Sequence, residues 1–332
     1  MAHRTSRVLA LLVALATTLT ACGGGGDAAP GTGAAAEPGA PEQTELTVGV
    51  LPLADLAPFY LAINEGLFEE QGLTVQADVA SGGAAQIAAS VAGDLDLVFS
   101  NYVSLLQAAA EGLPMRIVRE NNRSGPQGIY AATGSGIDAP ADLAGKRIAI
   151  NSLGNIQELT ARAVLESHGV DLDSLTFVEL PPPDMPAALA QGNVDAAWMV
   201  EPFLTEVEQA GDAGRVVGAF EGPTENLPVA GWATTAQFVQ ENPNTVAAFV
   251  RALDEAMALA ADDPGLVAEV IPTYTEISPE VAAQLAPAGL SVTSDLSDFG
   301  ALADLMVEHG LIEEGSLEID EVVVTAEELP QE

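Results

Sequence analysis

Residues 90–100 read SVAGDLDLVFS, residues 188–200 read ALAQGNVDAAWMV, and the two stretches are built alike. In each, small helix-forming residues run up to a glycine, one residue is skipped, and an apolar residue, an Asp and a buried-looking strand follow. A helix that stops at glycine and feeds an apolar strand is half of a strand–helix–strand unit. Two such units, far apart in the chain, predict two lobes of similar construction. The likeness is too short to read as a repeat array.

Working outward from the first stretch, strand and helix patterns alternate. LTVGVLP, from Leu46, is an apolar run ended by Pro52. PFYLAINEGLFEEQG carries Phe59, Ile63 and Leu67 at helical spacing and stops at Gly72. LTVQADV alternates as a strand, SGG breaks it, and AAQIAASVAG is a helix that leads into LDLVFS. A helix over about 101–111 and a strand MRIVRE complete this series. The second series runs KRIAINS, NIQELTARAVLESHG, LTFVELP, MPAALAQG, VDAAWMV and PFLTEVEQAG, again strand and helix in turn. Alternation of this kind argues for an α/β protein with parallel sheets covered on both faces. GIYAAT at 128–133 and LPVAGWATT at 227–235 are short extended segments suited to carry the chain between lobes. Beyond Phe238 the pattern is helical and is expected to pack on the first lobe. The expected organisation is a discontinuous lobe 1 over 45–130 and 232–332, with lobe 2 over 131–231 inserted in it.

The N-terminus carries an address. His3, Arg4 and Arg7 precede the apolar run VLALLVALA, and small residues lead to Cys22, the single cysteine of the chain. That is the layout of a secretory signal, with 1–21 as the signal peptide. The run is too short for a membrane-spanning helix, which needs about 20 apolar residues. A lone thiol has no disulfide partner within the chain. Residues 22–44, rich in Gly, Ala, Pro and Glu, bury too little apolar surface to offset ordering and read as a flexible spacer.

Charge narrows the partners. The formal net charge is −38; all 48 acidic residues follow Cys22, and segments 23–115 and 252–332 contain no Lys or Arg. Such a surface repels phosphate backbones and anionic headgroups, so nucleic-acid binding and membrane binding through the folded part are disfavoured. Solubility in a salty or alkaline exterior is the simplest reason for the acidity. Catalysis lacks a constellation. His168 and His309 stand just before Gly169 and Gly310 at expected helix ends, where the helix dipole favours them. No metal-ligand spacing, nucleophile elbow or phosphate loop is present, and no cofactor is expected.

Binding needs loops at the C-terminal ends of parallel strands, where helix N-termini offer free N–H groups. The sequence supplies several. Asp55 and Phe59 follow the first strand; Ser81, Gly82 and Gly83 follow the second; Ser100, Asn101 and Tyr102 follow the third. In the second series Ser152 and Asn155 open a helix and Glu201 follows the last strand. Taken singly, Ser100, Asn101, Ser152 and Asn155 read as helix N-caps. Ser81–Gly83 also reads as a turn, Asp55 and Glu201 as solvated charges, and Phe59 and Tyr102 as core.

Together, LTVGVLPLADLAPFYLAINEGLFEEQGLTVQ, GDLDLVFSNYVSLLQAAAEGLPMRIV, DLAGKRIAINSLG and GNVDAAWMVEPF resemble the substrate-binding lipoproteins of ABC importers. The nearest group is the SsuA/TauA-like family, which takes sulfonates, nitrate and thiamine-pyrimidine precursors. Leu19-Thr20-Ala21-Cys22 likewise resembles the lipobox of bacterial lipoproteins, in which the thiol receives a diacylglycerol. The resemblance implies the two-lobe periplasmic-binding-protein fold of type II: each lobe a mainly parallel sheet flanked by helices, the two joined by a two-strand hinge. It implies a monomer on the outer face of the cytoplasmic membrane, delivering a solute to an ABC permease. Its pocket would fall at Asp55, Phe59, Ser81, Gly82, Gly83, Ser100, Asn101, Tyr102 and Asn121, with Ser152, Asn155, Glu201 and Trp232. One place departs from the pattern: many relatives carry an aromatic directly before the Glu-Pro or Asp-Pro pair, where this chain has Val200, the nearest ring being Trp198.

The expected solute follows from charge. The basic candidates near the cleft are Arg119 and Arg123, while Asp55 and Glu201 would oppose an anion. A pyrimidine or similar heterocycle is therefore expected ahead of a sulfonate or nitrate. An enzyme like the thiamine-pyrimidine synthases is the competing class. It would need histidines, cysteines and a reactive lysine, and the single lysine, Lys146, sits at a strand start.

Overall fold

The computed structural model describes residues 39–286, 289–290, 296–325 and 327–330. The signal, Cys22 and most of the spacer lie outside the described residues.

Two sheets organise the chain. The first contains β1 (Glu45–Val50), β2 (Thr74–Val79), β3 (Leu97–Asn101), β4 (Met115–Arg123), β10 (Pro228–Thr235) and the short β11 (Gly289–Leu290). Its order is β11-β4-β10-β3-β1-β2. The second contains β5 (Gly128–Ala132), β6 (Arg147–Ile150), β7 (Thr176–Glu179), β8 (Ala196–Met199) and β9 (Ala213–Gly218), in the order β7-β6-β8-β5-β9.

The two orders share one plan. In the first sheet β1 pairs in parallel with β2 and β3, and β10 lies antiparallel between β3 and β4. In the second, β6 pairs in parallel with β7 and β8, and β5 lies antiparallel between β8 and β9. Each sheet is thus mixed: parallel strands pierced by an internal antiparallel strand, with the short β11 adding a second antiparallel strand at the edge of the first sheet. The similar stretches noted in the sequence lead into β3 and β8, which hold equivalent places. The likeness of SVAGDLDLVFS to ALAQGNVDAAWMV is the trace of that shared plan.

The segments expected to run between lobes do not hang between sheets. Gly128–Ala132 pairs throughout with the second sheet and Pro228–Thr235 with the first, because an extended backbone buried between strands must satisfy its N–H and C=O groups. The sequence-based boundaries at 130/131 and 231/232 therefore cut through strands. The changeovers lie in 124–127 and 219–227, tied together by Ser124 N donating to Leu227 O at 3.0 Å and Ala219 N to Gln127 O at 2.9 Å.

Helices cover the sheets: α1 (Ala57–Glu65), α2 (Leu67–Glu70), α3 (Gly83–Ala92), α4 (Tyr102–Ala110), α5 (Ile156–Ser167), α6 (Met185–Ala190) and α7 (Phe203–Ala210). After β10 come α8 (Ala236–Glu241), α9 (Pro243–Asp262), α10 (Pro264–Val270), α11 (Pro279–Ala282), α12 (Leu296–Glu308) and α13 (Ile319–Val322). The single helix expected over 58–72 is split, because Gly66 adopts a left-handed conformation at φ 76° and ends α1. β9 went unread, since its GRVV core is short and half exposed.

Beside the first sheet an aromatic core forms. Phe59, Phe68, Phe249 and Trp232 are fully buried, with the Phe59 and Trp232 ring centroids 5.0 Å apart and Phe68 and Phe249 stacked at 5.2 Å. Burying such rings contributes about 1.5–3 kcal/mol each. α9 supplies Phe249 on the face that also buries Val246, Leu253 and Met257, so the late helical segment completes a core begun by α1 and α2. No described helix is long and apolar enough to cross a membrane.

Candidate functional site

The strand ends of the two sheets face a narrow cleft, with a cavity volume of about 50 Å³. Leu51, Leu53, Asp55, Gly83, Phe99, Asn101, Val229 and Ala230 line it from the first sheet. Asn151, Asn155, Ile156, Gln157, Pro182, Trp198 and Val200 line it from the second, and Gln127 stands in the connection. The space takes a few water-sized groups, well below the several hundred Å³ of a drug-sized pocket.

The lobes are latched around it. Asn101 Oδ1 caps α4 by accepting from Ser104 N at 2.9 Å and reaches across to accept from Ile156 N at 3.2 Å, at the start of α5. Asn151 Nδ2 donates to Ser81 O at 2.9 Å, and Ala54 N donates to Glu201 O at 3.1 Å. Asn155 Oδ1 accepts from Gln157 N at 2.9 Å and Glu158 N at 3.1 Å, which caps α5. The N-cap reading and the cleft reading of Asn101 and Asn155 therefore both hold: the side chains line the cleft and use their oxygens on helix starts. α3 begins without a side-chain cap, at Gly82.

Of the residues singled out from sequence, Asp55, Gly83, Asn101 and Asn155 meet in the cleft wall. Ser81 and Gly82 lie at its rim, where a Cβ on Gly82 would come within 2.8 Å of Asn151 Oδ1 and push the Asn151 amide from its bond to Ser81 O. Ser100 is buried beneath Gly83, and its Oγ lacks a hydrogen-bond partner. Ser152 is half buried outside the lining, also with an unpartnered Oγ.

Three aromatic expectations are corrected. Phe59 and Trp232 belong to the core described above, and Tyr102 is fully buried with its ring edge-on to Phe299 at 4.8 Å. Strand parity and helix phase turn these rings inward, where they gain most from burial. Asn121 acts behind the cleft wall: its Oδ1 accepts from Trp232 Nε1 at 3.2 Å and its Nδ2 donates to Asp55 O at 2.9 Å. Glu201 is also buried, with Oε1 accepting from Thr205 Oγ1 at 2.8 Å and from Ala286 N at 3.1 Å. Arg119 pairs with Asp254 at 2.6 Å, and Arg123 with Glu120 at 3.0 Å and Asp298 at 2.6 Å; neither lines the cleft.

Sequence reading missed Gln127 and Gln157, whose amides carry no pattern, while Asn151 stands in the loop before α5 that the sequence offers as a binding loop. It doubted Trp198, yet strand alternation places Trp198 and Val200 together on the cleft side, while Ala197 and Met199 pack in a separate core with Tyr130 and Leu204. Trp198 Nε1 donates to Thr160 Oγ1 at 3.0 Å, which fixes the ring.

Among the described lining residues, Asp55 is the one ionisable group. It is 4% exposed; Oδ2 accepts from Asn122 Nδ2 at 3.0 Å, and Oδ1 has no partner. Burial pushes its carboxyl up to about 7 against the Asn122 bond, with the Glu201 charge adding to the rise. Burial likewise raises Glu201, opposed by its bonds from Thr205 and Ala286. Among the described residues no group of three His, Cys, Asp or Glu side chains converges to hold a metal.

Comparison with known proteins places this geometry. The alkanesulfonate-binding protein SsuA from Xanthomonas axonopodis pv. citri, solved bound to MOPS, superposes with a TM-score of 0.75 at 21% identity, covering 86% of this chain and 99% of that one. The periplasmic nitrate-binding protein NrtA from Synechocystis PCC 6803 gives 0.71 at 17% identity, covering 88% and 92%. The fold is that of periplasmic binding proteins. In sequence, the taurine-binding periplasmic protein of Escherichia coli strain K12 is 26% identical over 191 residues, 57% of this chain and 58% of that protein, so the match spans less than two thirds of its length. A nitrate/nitrite binding protein, NrtA of Synechococcus elongatus, is 27% identical over 293 residues, 76% of this chain and 65% of its own. The profile described as NMT1/THI5 like matches residues 54–266, well over half of the chain. With the fold and that profile in agreement, the chain belongs to the NMT1/THI5-like family.

Proposed function

We propose that this chain is an extracytoplasmic solute-binding lipoprotein, held by a lipid on Cys22 to the outer face of the cytoplasmic membrane. Its two lobes, expected at 45–130 with 232–332 and at 131–231, close as a hinged clamp on a small organic solute and present it to the permease of an ABC importer. It acts as a monomer and without catalysis. The observation that carries the reading is the cleft itself: it is lined from both sheets, and latched across by Asn101, Asn151 and Glu201. Relatives named for taurine and nitrate binding support the class.

The favoured solute is a pyrimidine-like heterocycle. The Trp198 ring offers a flat apolar contact, and Gln127 and Asn155 offer amide groups suited to ring nitrogens and exocyclic substituents. A sulfonate or nitrate is the second reading, supported by the names of the relatives and by the uncapped start of α3 beside Gly83.

A thermal-shift screen of the full chain against pyrimidines, sulfonates and nitrate tests both. A bound solute at 100 times its dissociation constant raises stability by about 2.7 kcal/mol. Turnover of a solute in place of stoichiometric binding would overturn the transport reading, and a screen without any shift would remove the solute classes named.

A further inference from the structure

We propose that the cleft selects a solute with a cationic nitrogen head, an amidinium or protonated amine whose N–H donates to Asp55 Oδ1, and that it rejects anions at neutral pH. This rests on the solute-binding reading above and assigns the charge of the ligand within it.

The geometry starts from a carboxylate with half its bonding capacity unused. Asn122 Nδ2 takes Oδ2, and Oδ1, in a side chain that lines the cleft, takes nothing. A carboxylate oxygen accepts in one way only, whereas an amide can be turned. A second unpartnered acceptor, Gln127 Oε1, lines the same cleft. The open Asp55 Oδ1 calls for a ligand that donates, and the Gln127 amide can present its oxygen beside it.

Among the described residues lining the cleft the charge meets no counterion, since none of them is Lys, Arg or His. Arg119 and Arg123, the nearest basic positions in sequence on β4, are committed to Asp254, Glu120 and Asp298. The other ionisable groups that act on Asp55 or feel it add nothing positive: Glu201, after β8, carries the same sign, and Tyr274, stacked on Tyr60, donates its hydroxyl to Leu53 O at 3.0 Å. A buried carboxylate without a partner either takes a proton or recruits a cation from outside.

The starts of α4 and α5, which would hold an anion, are already answered by the Asn101 and Asn155 oxygens. The start of α3 beside Gly83 keeps its N–H groups uncapped, but no Lys, Arg or His among the described lining residues adds positive charge to it.

Isothermal titration of the full chain with acetamidine, 4-aminopyrimidine, nitrate and methanesulfonate between pH 5.5 and 8.5 decides the matter. Acetamidinium keeps its charge across this range, so its affinity reports the ionisation of Asp55. Because the folded carboxyl titrates near 7, that affinity is expected to rise about tenfold per pH unit below 7 and to level above it. Asp55→Asn, which keeps the Asn122 contact within reach, should weaken acetamidinium by about tenfold to a hundredfold and erase the slope. An anion that binds more tightly than either nitrogen base at pH 8 overturns the proposal and leaves solute capture standing. Acetamidinium affinity within twofold of the parent in Asp55→Asn, or no binding of either base, also overturns it; if the thermal-shift screen is silent as well, solute capture falls with it.

Discussion

Asp55 sets the sign of a pH effect that needs no ligand. Its carboxyl is raised in the fold, from an ordinary 3.8 to about 7, so between those values the folded chain holds more protons than the unfolded one. Stability from this group is therefore full below pH 4 and is lost as pH rises, by about 1.4 kcal/mol per unit, until the folded carboxyl has ionised near pH 7. Asp55→Asn removes that loss. Urea denaturation of the two chains should show the variant gaining on the parent from pH 4 to 7 and holding a constant advantage above; equal stabilities at pH 8 would show that the carboxylate is not desolvated. Asp55, Gly83, Asn101 and Asn155 were legible in the sequence because each stands where a strand ends and a helix begins, the edge at which α/β folds expose polar groups. Phe59, Tyr102 and Trp232 were misread because a ring at a helix start or on a strand is equally suited to core and to ligand, and only the packing of α9 and α12 turns them inward. Gln127 was out of reach, since nothing in residues 124–127 marks a connection that passes a binding cleft.

Helix starts hold the clamp at the scale of elements. Asn101 serves α4 and the first residue of α5 with a single oxygen, so one side chain joins a cap to an interlobe latch. Asn101→Ala should cost about 1 kcal/mol as a lost cap. It should also loosen the lobes, read as a larger radius of gyration by small-angle scattering. Asn101→Asp, which retains an accepting oxygen, should restore the cap. A variant with unchanged compactness would confine Asn101 to its own helix. The alternation of strands and helices from β1 to β8 was readable because β1, β3 and β8 are apolar runs, β2 alternates, and glycines such as Gly93 and Gly169 sit past helix ends. β9 was not, because the exposed Gly214 and Arg215 hide a strand whose pairing partner, β5, lies 81 to 90 residues earlier in the sequence, as Ala132 with Ala213 and Gly128 with Gly218. Gly66 shows the limit of periodicity: Phe59, Ile63 and Leu67 keep helical spacing across a break that only backbone φ reveals.

For the whole molecule, a formal charge of −38 with eight basic residues after Cys22 means that folding gathers like charge. Self-repulsion of that size is screened within about 10 Å at 0.1 M salt. The melting temperature should therefore rise between 10 mM and 500 mM sodium chloride, most steeply at the low end; a flat profile would show that local pairs such as Arg123 with Asp298 already balance the field. The strand β10 carries a further consequence, for the order in which the parts are made. It lies between β3 and β4, with Trp232 opposite Phe99 on one side and Arg119 on the other. Until residues 228–235 have been made, β3 and β4 cannot be joined, and both keep open edges. All strands of the second sheet, by contrast, lie between residues 128 and 218 and emerge before β10. The inserted lobe is thus free to fold first as the chain emerges, while the lobe begun earlier waits for its central strand.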